Sequence, residues 1–242
     1  MEDRVILITN AEHFAGPPAA VEMSARGAII VCHDKSFATE NVRAAYAEAH
    51  PDRHAMTEQD PVELITAATE KFGRIDVVVS NDAFPAIRAS VEDANAQDMR
   101  DGLEDMVVSP FILAGAVVPQ MKERQSGKII FITSAAPFHG LPNYTMYVTA
   151  RGAANSMTVS LAKELGPHNI QVNAIAPNYV ESPDYFPQSL RENQEAMAKI
   201  TRNIPLRRLG KPKEIGTLVA FYASGDSDFI TGNVMPFAGG WA

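Results

Sequence analysis

The sequence has little cysteine and little positive charge, and each shortage closes off a class of function. One cysteine among 242 residues, Cys32, permits no intrachain disulfide framework and no cysteine-based zinc ribbon. Lys and Arg number 21 against 29 Asp and Glu, a net charge of −8, whereas nucleic acid or an anionic membrane calls for clustered basic residues. The six histidines have no metal-ligand spacing. Long hydrophobic runs are missing too. No stretch reads as the ~20 apolar residues of a membrane-spanning helix. The opening run Val5-Ile6-Leu7-Ile8 ends at Thr9-Asn10, too short for a signal peptide. The expectation is a soluble, cytoplasmic chain with no nucleic-acid, membrane or metal partner.

What is present is 46% hydrophobic and 21% charged residues, the balance of an ordinary globular domain. At this length one α/β domain spanning 1–242 fits better than two. Six short apolar runs have strand length: Val5–Ile8 and residues 28–31, 75–79, 129–132, 170–175 and 232–237. The first four are β-branched and lack clean alternation, as strands covered on both faces do. Between the runs, residues 17–26, 39–49, Pro61–Phe72, 96–124, 144–165 and Pro212–Ala223 have helical spacing, with Pro110 and Pro119 expected to kink or break the fourth. This alternation predicts a Rossmann-like, doubly wound parallel sheet of about seven strands with helices on both faces. Residues 177–191, rich in proline and aromatics, are expected to form a pocket loop.

In such a fold the first strand-to-helix turn cradles a dinucleotide, its glycines admitting the pyrophosphate to the helix N-terminus. Here the turn reads Thr9-Asn10-Ala11-Glu12-His13-Phe14-Ala15-Gly16. Only Gly16 remains of the glycine set, Glu12 adds negative charge, and Phe14 puts a ring where the cofactor should approach. The turn is expected either to be filled or to be narrowed for a smaller ligand. Asp34, where an NAD enzyme would hold ribose, reads as a helix-start residue near Ser36 instead.

A second constellation lies further on. Ser134 follows the run 129–132, at the carboxyl end of a strand, where α/β sites lie. Tyr147 and Arg151 stand four apart on a helix, hence on one face. Tyrosine ordinarily ionises near ~10, too high for a base at neutral pH. A guanidinium near the phenol oxygen opposes that: a unit charge at about 4 Å and an effective dielectric of ~20 is worth up to ~4 kcal/mol, less desolvation. Ser134 would donate a hydrogen bond to the substrate oxygen. Cys32 reads as core, and Trp241 as a residue free to pack on another subunit.

Over essentially its whole length the chain resembles the short-chain dehydrogenase/reductase superfamily. The likeness rests on Ser134, the Tyr147-x-x-x-basic pair, Ser80-Asn81-Asp82-Ala83, Asn173-Ala174-Ile175-Ala176-Pro177, Thr231-Gly232-Asn233 and Gly239-Gly240. The lost glycine turn and Arg151 in place of the usual lysine depart from that pattern. Those departures, with Ser80-Asn81-Asp82-Ala83-Phe84, the stretch 131–138 and Pro177-Asn178-Tyr179, resemble the halohydrin dehalogenases. That resemblance implies a cofactor-independent lyase. Tyr147, assisted by Arg151, takes the hydroxyl proton of a vicinal halohydrin while Ser134 holds the oxygen, and the alkoxide displaces halide to give an epoxide. In reverse, azide, cyanide or nitrite opens the ring. It further implies a halide pocket of Phe14, Pro177, Asn178, Tyr179, Val180 and Phe186, with main-chain N–H donors near Tyr179 and Val180. A substrate side of Asp82, Phe84, Pro137, Phe138 and Leu141, and a homotetramer, complete the expectation. A divergent NAD(P)-dependent alcohol dehydrogenase and a catalytically silent ligand-binding homologue remain open at this stage.

Overall fold

A computed structural model describes residues 1–242. Seven parallel strands, β1 (Val5–Ile8), β2 (Ile29–Cys32), β3 (Arg53–Ala55), β4 (Val77–Ser80), β5 (Gly127–Ile132), β6 (Ile170–Pro177) and β7 (Val234–Phe237), form one sheet in the order 3-2-1-4-5-6-7. The order reverses between β1 and β4, so the crevice beyond the carboxyl ends of these strands is where a ligand belongs.

Alternate residues of the central strands serve opposite faces, and both faces are dry. Ile6 and Ile8 pack with Ile30, Val77, Val79 and Ile130 beneath α1 (Gly16–Ser24) and α10 (Pro212–Ala223). Val5 and Leu7 join Val31, Val78, Ile129 and Phe131 beneath α3 (Pro61–Phe72), α5 (Ser109–Arg124) and α7 (Thr145–Leu165). Burying each such Val, Leu, Ile or Phe contributes about 1.5–3 kcal/mol, and this two-sided burial is why the strands read as unbroken apolar runs. Helices α1 and α10 touch closely: a Cβ on Gly216 would lie 2.5 Å from the Pro18 carbonyl oxygen.

Three expectations change. The seventh strand, β3, carries Arg53-His54-Ala55 and has no apolar run to announce it. The fourth helix is unbroken. Helix α4 (Ala96–Leu103) passes through one π turn at Glu104–Val108 directly into α5, and Pro119 sits inside α5 without ending it. The wide turn lies just before Pro110, where a proline ring would otherwise meet the carbonyl four residues back. The resulting rod, Ala96–Arg124, is long and apolar enough by composition to cross a membrane, contrary to the sequence reading. Its Leu113, Ala114, Val117 and Met121 nevertheless belong to the buried core. The remaining helices are α2 (Glu40–Ala49), the short α6 (Ala136–His139), α8 (Gln188–Glu192) and α9 (Gln194–Thr201). Of these, α8 overlaps the end of the 177–191 pocket loop, and α9 lies just beyond it.

Candidate active site

A cavity of about 240 Å³ opens at the carboxyl ends of β5 and β6, and 12 of its 18 lining residues are hydrophobic. Ser134, Tyr147 and Arg151 all face it, as do Phe14, Pro177, Asn178, Tyr179, Val180, Phe186 and Leu141.

Ser134 follows Ile132-Thr133 at the end of β5 and is buried. Its Oγ accepts the Ala136 N–H at 3.1 Å at the start of α6, so the hydroxyl proton stays free to point elsewhere. Asn155 Nδ2 of α7 donates to the Ser134 carbonyl at 3.3 Å and ties the strand end to that helix. Arg151 is 4% exposed. Its Nη1 donates to two main-chain carbonyls, Asp82 and Ile132, each at 3.1 Å. The guanidinium carbon lies 5.6 Å from the centre of the Tyr147 ring. The cation is anchored to the backbone at the ends of β4 and β5 and presents itself to the phenol ring, forming no hydrogen bond with its oxygen. Buried carbonyls demand a donor, and the two hydrogens on Nη1 serve both.

The far end of the cavity is aromatic. Phe14 and Tyr185 meet edge to face, with centroids 5.4 Å apart, and Tyr179 and Phe186 lie 6.3 Å apart. Phe14 and Tyr179 are both in the left-handed backbone region, at φ 45° and 57°, which bulky residues rarely adopt. The Tyr179 N–H is taken by Asn178 Oδ1 at 2.9 Å, so of the two donors expected there only the Val180 N–H, on a buried residue, is unpaired. Burial pushes the Tyr185 phenol above the ordinary tyrosine range. Tyr147 nearby adds to this and the Arg151 guanidinium opposes it.

Four residues expected on the substrate side do not line the cavity. Asp82 turns its carboxylate to Thr9 Oγ1 (2.8 Å) and Ser80 Oγ (2.7 Å), and contributes only its carbonyl, through Arg151. Phe84 points towards Gly102 of α4, and Pro137 lies against Gly152 of α7. Phe138 is 51% exposed. Their places are taken by smaller neighbours, Ala83, Ala86 and Ala136, with Asn81, Thr133 and Tyr144. Trp241 packs edge-on to Tyr179 at 5.6 Å and lies tilted against exposed His139, whose Nε2 meets the Trp241 carbonyl.

The turn after β1 is closed from within. Ala11 N–H donates to the His33 carbonyl and His13 N–H to the Asn10 carbonyl. Glu12 N–H donates to the Asp34 carboxylate, and Phe14 N–H to that of Asp184, each at 3.3 Å. Asp34 also caps the Ser36 N–H, as the sequence led one to expect. Helix α1 begins Gly16-Pro17-Pro18, and two of the N–H groups that would receive a phosphate are therefore absent. A Cβ on Gly16 would fall 2.6 Å from the Ala11 carbonyl oxygen, so the surviving glycine serves the turn itself. The double proline was legible in the sequence. The carboxylate from Asp184, 170 residues away, was not.

Residues 16–242 match the family model described as enoyl-(acyl carrier protein) reductase. A curated relative, the 3-oxoacyl-(acyl-carrier-protein) reductase of Thermotoga maritima, is 31% identical, the alignment covering 99% of this chain and 98% of the relative. A solved structure titled "Dehalogenation enzyme" is 49% identical with a TM-score of 0.96, covering 100% of this chain and 99% of that one. A halohydrin dehalogenase bound to ethyl (2S)-oxiran-2-ylacetate is 43% identical with a TM-score of 0.95, covering 98% and 96%.

Proposed function

Because the chain belongs to the short-chain dehydrogenase/reductase family, on its halohydrin dehalogenase branch, we propose that it converts vicinal halohydrins to epoxide, halide and a proton without a nucleotide cofactor. One observation carries this reading. Ser134, Tyr147 and Arg151 converge on an apolar cavity, while in the turn that would hold pyrophosphate the amides of Ala11, Glu12, His13, Phe14 and Gly16 are already paired, two of them with carboxylates. A dinucleotide would have to displace Asp34 and Asp184 and take their place with further negative charge.

Tyr147, facing the fixed charge of Arg151, accepts the substrate hydroxyl proton on its phenol oxygen. Ser134 donates its free proton to the same oxygen. The oxygen lone pair attacks the neighbouring carbon from the side opposite the halogen, the C–O bond forms, and the C–X bond leaves with its electron pair. The proton on Tyr147 then passes to water. The halide is released among the edges of Phe14, Tyr185 and Phe186, which carry partial positive charge, within reach of the Val180 N–H. An unpaired anion in an apolar pocket is costly, so a buried donor without a partner is what the leaving ion requires. Azide, cyanide or nitrite entering at this end would open an epoxide in reverse. Phe111 and Ile112 of α5 and Val159 of α7 are exposed apolar side chains, suited to burial between copies in a homotetramer.

The test is incubation with a vicinal bromohydrin and no added nucleotide. Bromide and epoxide appearing in equal amounts support the reading. The 31% identity to a reductase favours a second one, a nucleotide-dependent carbonyl reductase, which predicts no bromide but oxidation of NADH or NADPH by a ketone.

A further inference from the structure

Two neighbouring rings of the pocket loop, Tyr185 and Phe186, close the aromatic end of the cavity, yet little holds them there. The amides of Tyr185 and Phe186 bond back to Ser182, through Oγ at 3.1 Å and the carbonyl at 2.9 Å. Pro187 receives only the amides of Leu190 and Arg191. Between Pro183 and Pro187, besides the Tyr185 phenol lying close to the Arg151 guanidinium, the polar contacts to other parts of the fold come from the Asp184 carboxylate, which accepts the Phe14 N–H at 3.3 Å and lies 3.5 Å from His13 Nδ1. That amide belongs to a residue at φ 45°, and the ring it carries is the partner of Tyr185. Asp184, the residue before Tyr185, therefore ties the Phe14 backbone to the turn whose ring meets that of Phe14 edge to face.

We propose that Asp184 is a positioning residue that clamps the Phe14 turn to the Tyr185–Phe186 turn and so sets how tightly the cavity retains a small anion. The anion's identity as the leaving halide rests on the function proposed above. The clamp itself does not. Its carboxylate is near the anion end, so electrostatics alone gives the opposite expectation: removing a negative charge should make an anion bind more tightly. A clamp gives looser binding, because the rings separate once Phe14 relaxes from its left-handed conformation.

The sign of the change decides. Bromide titration is read through Trp241, the single tryptophan, whose ring lies against cavity-lining Tyr179. Asp184→Ala should weaken bromide binding by about threefold to tenfold, the effect of losing one solvent-exposed hydrogen bond of ordinary strength. Asp184→Asn, which keeps an acceptor for Phe14, should fall between. Amide exchange at Phe14, Tyr185 and Phe186 should accelerate in Asp184→Ala while exchange in β5 and α7 does not, which separates a loosened clamp from a destabilised fold. Tighter or unchanged bromide binding with unchanged exchange at those amides overturns the proposal. If wild type neither binds bromide nor releases it from a bromohydrin, the proposed function has failed. The exchange experiment then judges the clamp alone, and unchanged exchange overturns it.

Discussion

The guanidinium of Arg151 faces the Tyr147 ring at 5.6 Å while its Nη1 is committed to the carbonyls of Asp82 and Ile132. The pair therefore differs from an exposed i,i+4 contact. The charge is fixed by two strand ends, and the phenol, one turn earlier on α7, is brought up to it. This makes the positive charge part of the scaffold, in place before substrate arrives.

Arg151→Lys keeps the charge but loses the fork. An ammonium at the end of a flexible stem cannot reproduce the planar donor set, and a buried carbonyl left unpaired costs about 1–3 kcal/mol. Bromide release at neutral pH is expected to fall about tenfold to a hundredfold, measured as initial rates. A variant as active as wild type would show that the anchoring has no part in the reaction.

Ser134→Ala removes the free hydroxyl proton and leaves the Ala136 N–H without its acceptor. Turnover is expected to drop by about 10²-fold, with a smaller effect on bromide affinity, since the serine faces the alkoxide. Equal losses in both would place the serine at the anion instead.

Calorimetry with NADH and NADPH is expected to show no binding in the micromolar range. The Glu12 and Phe14 amides are held by Asp34 and Asp184, and Pro17 and Pro18 have none to offer. Micromolar affinity for either nucleotide would contradict the closed turn.

Stability has a pH signature at the start of α10. The Glu214 carboxylate is held down to about 2, chiefly by the two-pronged contact with Arg208 and then by the Lys211 N–H. A depressed carboxylate contributes fully above its ordinary value of 4.5 and loses that contribution as pH falls from there towards 2. The Glu214 side chain is 40% exposed, so solvent screening keeps the contribution of the pair small. Glu214→Gln should lower the denaturant midpoint at pH 7 by a corresponding amount, and the gap to wild type should narrow below pH 4.5. A gap that widens on acidification would contradict the assignment.

Much of the fold was legible because its physics is local. Strands such as Val5–Ile8 and Val77–Ser80 are buried on both faces and announce themselves as apolar runs. Strand β3 and helix α9 were not legible: Arg53-His54-Ala55 is polar at the sheet edge, and α9 buries no residue. Tyr147 and Arg151 were readable because four residues on a helix define a face. Side-chain direction in loops has no such period, which is why Phe84, Pro137 and Phe138 were expected in the cavity that Ala83, Ala86 and Ala136 line instead. The Asp184–Phe14 contact joins distant loops and leaves no mark in either segment.

The most direct measurement is bromide released from a vicinal bromohydrin, without nucleotide, by wild type and by Tyr147→Phe side by side. Wild type is expected to turn over. The variant, which retains the ring facing Arg151 but has no oxygen to take the proton, should lose about 10²- to 10⁴-fold of the rate while still binding bromide. A Tyr147→Phe enzyme that releases bromide at the wild-type rate would contradict the account.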